Sequence, residues 1–414
     1  MEKVIVIGGG VVGLCSAYYL RRAGYNVTVL DKGDLTDNCS YGNAGYVCPS
    51  HFIPLAKPGM VSTGLKMMWN ARSPFFIEPR ADGNLVRWAF QFMRSATQQH
   101  VERSMVPLRD MALISRDCYR QMAADGLDFA YEEKGLLEVY QSAELEAHAK
   151  HFVHDAEQLG LEARLLTADE VREMEPGVEW RLRGGLIFDC DGHLYPNKLM
   201  QALLAELEKL GVELLKGMEV TGFDVLNGEV RKVFCGNHAF EAQQVVLASG
   251  AWSGPLGHKL GIKLPVVGGR GYSVTLEDGP YTFKRPVILQ ESRVAITPMD
   301  GNKLRFGGTM EITSLDKAPR YQRVVGIAEG VKKFLPGVDI PTRKEDVWYG
   351  YRPCSPDGLP FIGRSKKVEN VIVATGHAMV GLSLGAGTGY LVKQLAANEP
   401  TDMDLHAFRA DRFG

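Results

Sequence analysis

The chain opens with apolar residues whose spacing changes from strand-like to helical and back again. Residues 3–7 are apolar and β-branched, residues 11–23 carry apolar side chains at helical spacing, and residues 27–30 form a second apolar run. Short β-branched runs predict buried strands, and apolar positions three and four residues apart predict a helix packed on one face. The first 30 residues therefore predict a βαβ unit.

The regular pattern weakens after this unit and then returns. Residues 41–80 are rich in Gly, Pro, Ser and Asn, so we expect little regular structure there. Long irregular segments inside compact enzymes often line sites. Residues 85–124 have helical spacing and predict a helix that ends before Gly126. The elements predicted next are a strand at 135–140, a helix at 143–159 and, started by Pro196, an amphipathic helix at 197–210.

Short strands dominate the second half of the chain. Those expected first lie at 212–215, 220–226, 229–235 and 245–247. Between residues 262 and 349 the pattern predicts an antiparallel sheet, because short apolar runs alternate with turn residues. Its predicted strands lie at 271–276, 287–289, 294–297 and 304–307. The chain ends on a strand at 371–374, a glycine loop at 376–381 and a helix at 383–397.

Nucleotide-binding patterns thus occur at the start, in the middle and at the end of the chain. The 414 residues are enough for two or three compact units. We therefore predict an α/β fold with an added antiparallel sheet domain. Residues 1–80, 150–260 and 350–414 would form a discontinuous, Rossmann-like cofactor domain. Residues 81–149 and 261–349 would form an inserted substrate domain of mixed sheet and helices.

Composition narrows the classes of partner. Lysine and arginine number 47 against 49 aspartates and glutamates, so no excess of basic charge is offered to a nucleic acid. The 45% of hydrophobic and 23% of charged residues are typical of a globular protein and argue against disorder. A small molecule, not a nucleic acid, is the partner to expect.

The chain also lacks the patterns of secretion and membrane insertion. Its first residues lack the apolar region and cleavage site of a secretory signal, and no run reaches the roughly 18 apolar residues that span a bilayer. We therefore expect a cytoplasmic protein without an integral membrane segment. The apolar segment 67–69 is one candidate for peripheral contact with the inner face of the membrane.

Cysteine usage argues against both disulfides and metal. The seven cysteines are odd in number, widely spaced and free of a CxxC pair. This distribution is typical of reduced thiols, not of a disulfide framework or a zinc site. We therefore predict no metal centre.

The first motif with chemical content is the glycine loop GGGVVG at residues 8–13. Gly8 permits a tight turn, Gly10 lets the backbone approach a pyrophosphate, and Gly13 lets helix and strand pack closely. The start of the following helix offers free N–H groups to the anion. Asp31 ends the second strand, where its carboxylate can accept hydrogen bonds from ribose hydroxyls. The unit predicts a dinucleotide and disfavours NADP.

Two further segments favour FAD over NAD. The loop at residues 39–45 has small side chains that could pass against a large planar cofactor. The segment 374–383 is a second strand-to-helix turn with glycines, and the positive end of its helix would favour negative charge on a reduced flavin. Each segment can also be interpreted as an ordinary turn.

Six motifs occur in an order that resembles a known family. They are GGGVVG, SYGNAGYVCPS, DGHLYPNKL, VVLASGAWS, GYRPCSPDGLPFIG and ATGHAMVGLSLGAGTG. The chain resembles, over nearly its whole length, the D-amino acid oxidase superfamily of FAD-dependent oxidoreductases. Within it, the D-amino acid dehydrogenase or D-hydroxyproline dehydrogenase branch is the most similar.

The resemblance implies which residues hold FAD. They are Gly8, Gly10, Val11, Val12, Gly13, Asp31, Lys32, Ser40, Asn43, Ala44, Gly45, Val220, Ser249, Gly250, Trp252, Gly376, His377, Met379, Val380, Gly381, Leu382 and Ser383. The chain distantly resembles sarcosine oxidases, whose flavin-linking cysteine would fall nearer Gly350 than Cys354. We therefore expect noncovalent FAD.

The resemblance also points to substrate-binding residues. Arg352 lies in a GYRP segment, where the arginine of the superfamily binds the substrate carboxylate, and a planar guanidinium pairs bidentately with that group. Its alternative role is a structural salt bridge. Tyr272 and His51 are candidates for lining the pocket, and His377 for modulating proton transfer. A packing role is an equal alternative for these three residues.

The implied reaction takes a hydride from the α-carbon of a D-amino or D-imino acid to flavin N5, so orientation carries most of the catalysis. The favoured substrates are 4-hydroxy-D-proline and D-proline, and the product is an imine or pyrroline carboxylate. A broad D-amino acid dehydrogenase and a glycine or sarcosine oxidase remain alternatives. A flavin-bearing, non-catalytic subunit of a dehydrogenase complex is the alternative from another class. The electron acceptor, O₂ or quinone, and a homo-oligomeric state stay open.

Overall fold

The structure is a computed structural model that describes residues 2–67 and 70–413, so segment 67–69 falls mostly outside the described residues. Its strands, in chain order, are Lys3–Ile7 (β1), Asn26–Leu30 (β2), Tyr46–Val47 (β3), Phe75–Ile77 (β4), Leu136–Tyr140 (β5), Ala163–Thr167 (β6), Gly184–Phe188 (β7), Gly192–His193 (β8), Glu213–Leu215 (β9), Gly222–Leu226 (β10), Glu229–Cys235 (β11), His238–Glu241 (β12), Gln244–Leu247 (β13), Val267–Leu276 (β14), Val287–Leu289 (β15), Val294–Pro298 (β16), Leu304–Ile312 (β17), Val347–Cys354 (β18), Phe361–Arg364 (β19) and Val371–Thr375 (β20).

The α-helices lie between and around these strands. They are Val11–Arg22 (α1), Met60–Met67 (α2), Gly83–Ser95 (α3), Gln98–Ala124 (α4), Ala143–Gln158 (α5), Ala168–Met174 (α6), Pro196–Lys209 (α7), Ser253–Lys259 (α8), Gln322–Phe334 (α9) and Gly385–Ala396 (α10). Among the described residues, no helix is both long and apolar enough to cross a bilayer.

The first large sheet has the strand order β19-β20-β13-β1-β2-β9. Its strands pair in parallel except β19, which is antiparallel to β20. One face packs against α1, α4, α7 and α10, and the other faces the small sheet β10-β11-β12 and α8. Because side chains alternate along a strand, Val4 and Val6 of β1 face the helices while Ile5 and Ile7 face the small sheet. This doubly covered parallel sheet confirms the predicted Rossmann-like architecture.

The second large sheet has the order β18-β14-β17-β16-β15-β5-β7-β6, with β4 beside β17. Most of its pairs are antiparallel, as predicted, but β5 is parallel to β15 and β4 is parallel to β17. Antiparallel neighbours can be joined by short hairpins. Strands β4 and β5 instead come from much earlier in the chain than their parallel partners β17 and β15. The sheet is therefore mixed and not purely antiparallel.

The sheets divide the chain differently from the predicted boundaries. Strands β6 and β7 lie in the second sheet, although residues 150–260 were expected in the cofactor domain. Strand β18 crosses the expected boundary at residue 350, and Tyr119 of α4 packs in the core of the cofactor sheet. Short strands carry no local signal of which sheet they join, because sheet membership depends on partners far away in the chain.

Two helical predictions also need correction. The continuous helix expected over 85–124 is two helices, α3 and α4, because Thr97 starts a new one and its side chain accepts the His100 N–H at 3.2 Å. Ser, Thr, Asp and Asn at this position satisfy N–H groups that the helix leaves unpaired. Helix α9 lies inside the stretch that we expected to be strands. Its core positions Val324, Ile327 and Val331 show the helical spacing that the prediction missed.

Candidate active site

A cavity of about 840 Å³ lies at the carboxyl ends of the parallel strands of the first sheet. Gly8 follows β1, Asp31 follows β2, Ser249 follows β13, and Thr375 ends β20, and all four line the cavity. Open parallel sheets bind ligands at this edge, where loops from neighbouring strands diverge. The volume is in the range of cofactor sites.

The glycine loop leaves space where any side chain would collide with the backbone. Gly8 has φ +111°, and a Cβ there would lie 2.6 Å from the Ala248 carbonyl oxygen. A Cβ on Gly13 would lie 1.8 Å from the Gly8 carbonyl oxygen. Gly10 begins α1 and provides no side-chain cap. The Val11 N–H donates to the Ser40 hydroxyl at 3.0 Å, and the following N–H groups of the first turn of α1 are the ones that an anion could approach.

Asp31 is held rigidly at the cavity wall. Its two carboxylate oxygens accept the N–H groups of Gly9 at 2.6 Å and Gly33 at 2.7 Å. Next to it, the Lys32 ammonium lies 3.7 Å from the centre of the Trp252 ring, and both residues line the cavity. A fixed carboxylate beside an aromatic surface suits the ribose and adenine portions of a dinucleotide.

Most residues predicted to hold the cofactor line this cavity. They are Gly8, Gly10, Val11, Val12, Asp31, Lys32, Ser40, Asn43, Val220, Ser249, Gly250, Trp252, His377, Gly381 and Leu382, and Arg352 lines it too. Seven predicted cofactor residues lie outside the lining: Gly13, Ala44, Gly45, Gly376, Met379, Val380 and Ser383. Tyr272 and His51 also lie outside it.

Several lining residues were missed from the sequence. Met218, Glu219 and Thr221 line the cavity because they follow β9, the next parallel strand of the sheet. These three residues could have been predicted from the sequence, because they follow the strand predicted at 212–215 and residues after a parallel strand tend to line the ligand site. Trp348 and Tyr349 come from β18 of the other sheet, and nothing local in the chain predicts that this strand borders the cofactor sheet.

Arg352 is a mostly buried cation without an anionic partner. It lies on β18, and its guanidinium packs against Gly271. A Cβ added to Gly271 would lie 2.0 Å from the Nη1 of Arg352. Nη1 donates to the Thr309 carbonyl oxygen at 2.7 Å. Within residues 2–67 and 70–413, no carboxylate oxygen lies within 4.0 Å of its guanidinium. Burial lowers the Arg352 pKa, although an arginine stays protonated in proteins.

Tyr272 belongs to a buried ionic network beside the cavity. Its hydroxyl donates to Glu311 Oε2 at 2.8 Å and accepts the Arg320 N–H at 2.8 Å. Glu311 also contacts the Arg270 guanidinium at 3.3 Å. The guanidinium of Arg270 lies 5.9 Å from the centre of the Tyr349 ring, which lines the cavity. Tyr272 therefore does not line the cavity but helps to position Arg270 and Tyr349 through Glu311.

His377 is buried and neutral. Burial lowers its pKa to about 3, and its Nε2 lies 2.9 Å from the Thr388 hydroxyl. An imidazole in this state carries no charge near neutral pH. Its contact with α10 supports a packing role within the cavity wall.

Two cysteines near the cavity are poor nucleophiles. Burial raises the pKa of Cys354 to about 12, and burial also raises the pKa of Cys39, which lines the cavity. The thiolate is the reactive form of cysteine, so both thiols remain largely unreactive at neutral pH.

This cavity and sheet are those of a dinucleotide-dependent enzyme. The chain belongs to the DAO family of FAD dependent oxidoreductases, whose family model matches residues 3–395. The protein is therefore an FAD-dependent oxidoreductase, which confirms the predicted family and cofactor.

Individual relatives cover the whole chain. A D-amino acid dehydrogenase of Helicobacter pylori is 29% identical, with 99% of this chain and 98% of the relative aligned. The crystal structure of glycine oxidase from Geobacillus kaustophilus has a TM-score of 0.76 at 24% identity, covering 100% and 99% of the two chains. The structure of L-proline dehydrogenase from P. horikoshii has a TM-score of 0.75 at 20% identity, covering 100% and 97%. The two structures establish similarity of fold.

The residues of the cavity fit FAD. The pyrophosphate fits the turn at Gly8 and Gly10, which has no side chains, and the first turn of α1. The ribose fits the Asp31 carboxylate. The cavity continues from there to Arg352, Tyr349 and the turn before α10. The residues that suit the dinucleotide and the Arg352 guanidinium therefore line one cavity.

Proposed function

We propose that this protein oxidises the bond between the α-carbon and the nitrogen of a small D-amino or D-imino acid. The observation that carries the proposal is Arg352, a cavity-lining guanidinium that donates to the Thr309 backbone carbonyl and has no carboxylate within 4.0 Å among the described residues. An unpaired, mostly buried cation is costly unless a ligand supplies the anion. The D-amino acid dehydrogenase of H. pylori, 29% identical over nearly the whole chain, supports an amino acid as that ligand.

Arg352 would act by orientation. Its two terminal nitrogens can pair with the two oxygens of a carboxylate, which fixes the direction of the bond to the α-carbon. Bound FAD supplies the acceptor for the hydride that leaves this carbon. Tyr349 and Tyr351 line the same end of the cavity and limit the space around the substrate. Positioning of this kind can lower a barrier by several kcal/mol, about 7 to 11 in the best cases.

No dedicated base is required from the protein. His377 is neutral with its Nε2 beside the Thr388 hydroxyl, and the Tyr272 hydroxyl is engaged by Glu311 and Arg320. When the substrate nitrogen is neutral, its lone pair assists departure of the hydride. The residues named here therefore bind, orient and exclude water, and the nitrogen itself provides the electronic assistance.

We further propose 4-hydroxy-D-proline or D-proline as the preferred substrate. The support is the overall resemblance of the ordered motifs to hydroxyproline-degrading flavoenzymes, and no single residue contact carries it. A cyclic substrate would leave as a pyrroline carboxylate, whereas an open-chain imine would hydrolyse to a keto acid and ammonia.

The direct test is anaerobic reduction of the purified holoenzyme with a substrate panel. The panel contains D-alanine, D-proline, 4-hydroxy-D-proline, glycine and sarcosine, and bleaching of the oxidised flavin is recorded. We expect the fastest bleaching with the D-imino acids. Bleaching by none of them would contradict the catalytic proposal and favour a non-catalytic flavin subunit. Reoxidation of the bleached enzyme by O₂ or by a soluble quinone then assigns the acceptor.

Arg352→Ala tests the carboxylate contact. We expect retained flavin and a loss of amino acid binding worth about 3 to 5 kcal/mol, the usual effect of removing one partner of a buried ion pair. Flavin reduction is titrated with the best substrate. Arg343→Ala is the matched control, because Arg343 is an exposed arginine paired with Asp346. Unchanged substrate affinity in Arg352→Ala would remove this residue from the site.

A further inference from the structure

Two chain segments outside the cofactor cavity bring four potential metal ligands together. Cys48 and His51 lie in the loop after β3, and Cys190 and Asp191 lie in the turn between β7 and β8. Pairing of β3 with β8 holds the two segments side by side, with Val47 opposite Gly192. A Cys-x2-His pair thus meets a Cys-Asp pair that is remote in the chain.

The distances suit one metal ion. One ligand atom each from Cys48, His51 and Asp191 lie within 4.8 Å of one another. Cys190 lies outside this group of three, but its Sγ is 3.5 Å from Asp191 Oδ1, which makes it the nearest candidate for a fourth donor. Two thiols, an imidazole and a carboxylate form a donor set typical of tetrahedral zinc and not of Mg²⁺ or Ca²⁺.

The cluster also lacks positive charge. Asp191 is fully buried, and its hydrogen-bond donors among the described residues are neutral: the Ser50 N–H at 3.0 Å, the Ser50 hydroxyl and the thiols of Cys48 and Cys190. Glu138, also buried, accepts from the Gln290 amide. In the described part of the chain, no lysine or arginine nitrogen comes within 4.0 Å of either carboxylate. A buried carboxyl group without a close cation either keeps its proton or pairs with a metal ion. The missing cation therefore leaves room for a metal ion here, and the ligand geometry is what favours it.

The histidine is prepared for coordination. A neutral imidazole binds a metal ion through a ring nitrogen that is not engaged elsewhere. The His51 Nδ1 lies 3.3 Å from the Ser50 hydroxyl. Within the described residues Nε2 has no hydrogen-bond partner, which leaves one ring nitrogen available as a ligand.

We propose that Cys48, His51 and Asp191, with Cys190 as the fourth donor, bind one divalent cation of the zinc type. Each coordinating thiol releases its proton to solvent on binding. None of the four residues lines the cofactor cavity. The site is therefore distinct from the flavin site and from the substrate arginine, and it is independent of the proposed reaction.

The cluster contacts a segment that lines the cofactor cavity. The Cys48 N–H donates to the Ser383 hydroxyl at 2.9 Å, and Ser383 follows Gly381 and Leu382, which line the cavity. A bound cation would tie the β3 loop, the β7–β8 turn and the turn before α10 into one unit. We expect it to raise the melting temperature of the holoenzyme, because a ligand that binds only the folded chain stabilises it.

The test uses chelator-treated holoenzyme with reduced thiols, titrated anaerobically with Co²⁺ and then with Zn²⁺. Tetrahedral Co²⁺ bound to thiolate absorbs at longer wavelengths than oxidised flavin, so the two signals separate. We expect saturation at one equivalent, displacement of Co²⁺ by Zn²⁺ and a higher melting temperature. Elemental analysis of the desalted protein checks the stoichiometry.

Variants decide between this site and surface binding. We expect Cys48→Ala and Cys190→Ala to weaken Zn²⁺ at least about tenfold, measured by competition with a chromophoric chelator. Cys118→Ala, which removes a partly exposed thiol elsewhere, is the control and should bind as the parent does. Flavin absorbance and metal-free melting temperature show that each variant is folded. Two outcomes would overturn the proposal: the absence of Co²⁺ bands in the parent, or a Zn²⁺ affinity of both cluster variants that equals the affinity of the parent.

Discussion

Gly10 is a residue at which the protein itself has room for a larger side chain. A Cβ there would meet only the Ser40 Oγ, at 3.5 Å, whereas a Cβ on Gly13 would collide with backbone at 1.8 Å. Gly10 lines the cavity and has φ −76°, which alanine adopts without strain. The need for glycine at this position therefore comes from the ligand and not from the fold.

We predict that Gly10→Ala weakens FAD binding at least about tenfold, equivalent to about 1.4 kcal/mol, without unfolding the apoprotein. The added methyl group occupies space beside the start of α1 that the pyrophosphate needs. Titration of the apoprotein with FAD, followed by protein fluorescence, measures the effect. Circular dichroism of the apoprotein provides the control, and a variant that binds FAD as tightly as the parent would contradict the assignment.

His377 makes stability depend on pH. Burial lowers its folded-state pKa to about 3 from the ordinary 6.5, so the unfolded chain takes up the proton first as the pH falls. Its contribution is complete above pH 6.5 and is lost between about pH 6.5 and 3, at up to about 1.4 kcal/mol per pH unit. We predict that His377→Asn reduces this slope.

The measurement is urea unfolding of the FAD-saturated protein at several pH values within that window. His154→Asn, which changes an exposed histidine of α5, is the control for the loss of a histidine as such. An unchanged slope in His377→Asn would show that other groups cause the pH dependence.

At the scale of elements, the contact between α1 and α10 depends on glycines that allow close approach. A Cβ on Gly389 of α10 would lie 2.5 Å from the backbone carbon of Cys15 in α1. A Cβ on Gly387 would lie 2.9 Å from the backbone of Ser115 in α4. The three helices therefore pack with backbone against backbone, on the same side of the cofactor sheet.

We predict that Gly389→Ala destabilises the protein by about 1 to 3 kcal/mol, the range for overpacking a tight contact. The clash must exceed the gain in helix propensity, which is about 1 kcal/mol for alanine over glycine. Denaturant unfolding measures the difference. Gly83→Ala at the start of α3 is the control, because among the described residues no atom beyond its chain neighbours and its own helix backbone lies within 4 Å of the added Cβ. Equal free energies of unfolding of the two variants would contradict the prediction, because they would show that α1 and α10 can move apart to accept the added methyl group.

At the scale of the whole molecule, Arg305 joins the second large sheet to the loop at residues 41–43 and to α7. It lies on β17, and its Nη1 donates to the carbonyl oxygens of Tyr41 at 2.7 Å and Asn43 at 2.8 Å. Its Nη2 donates to the Asn197 side chain at 3.0 Å. Burial lowers the pKa of its guanidinium to about 10. One arginine of the second sheet thus shapes a loop whose Asn43 lines the cofactor cavity.

We predict that Arg305→Ala lowers the free energy of unfolding by about 2 to 3 kcal/mol and also weakens FAD, since the loop at residues 41–43 loses its support. Ser273→Ala removes a single hydrogen bond to Gly42 of the same loop and should cost about 1 kcal/mol. Unfolding of the apoprotein and FAD titration measure the two effects separately. A loss of stability without any change in FAD affinity would contradict this link.

The sequence by itself determined the features whose causes are local. The βαβ unit, the glycine loop and Asp31 follow from apolar spacing and from residue types within about 30 positions. The family resemblance of the GYRP segment also pointed to Arg352 as the substrate contact, and this role stays a proposal. That Arg352 has no carboxylate partner within 4.0 Å among the described residues could not be read from the sequence.

Tertiary structure decided what depends on remote neighbours. The membership of β6 and β7 in the second sheet, the position of Trp348 and Tyr349 at the cavity wall, and the meeting of Cys48 with Asp191 all join residues far apart in the chain. Cysteine spacing could not show the meeting of Cys48 with Asp191, because spacing reports only ligands that are neighbours in sequence, and the predicted absence of a metal centre stays untested. The physical reason is the same throughout: patterns along the chain record local propensity and burial, whereas pairing and packing bring distant segments together.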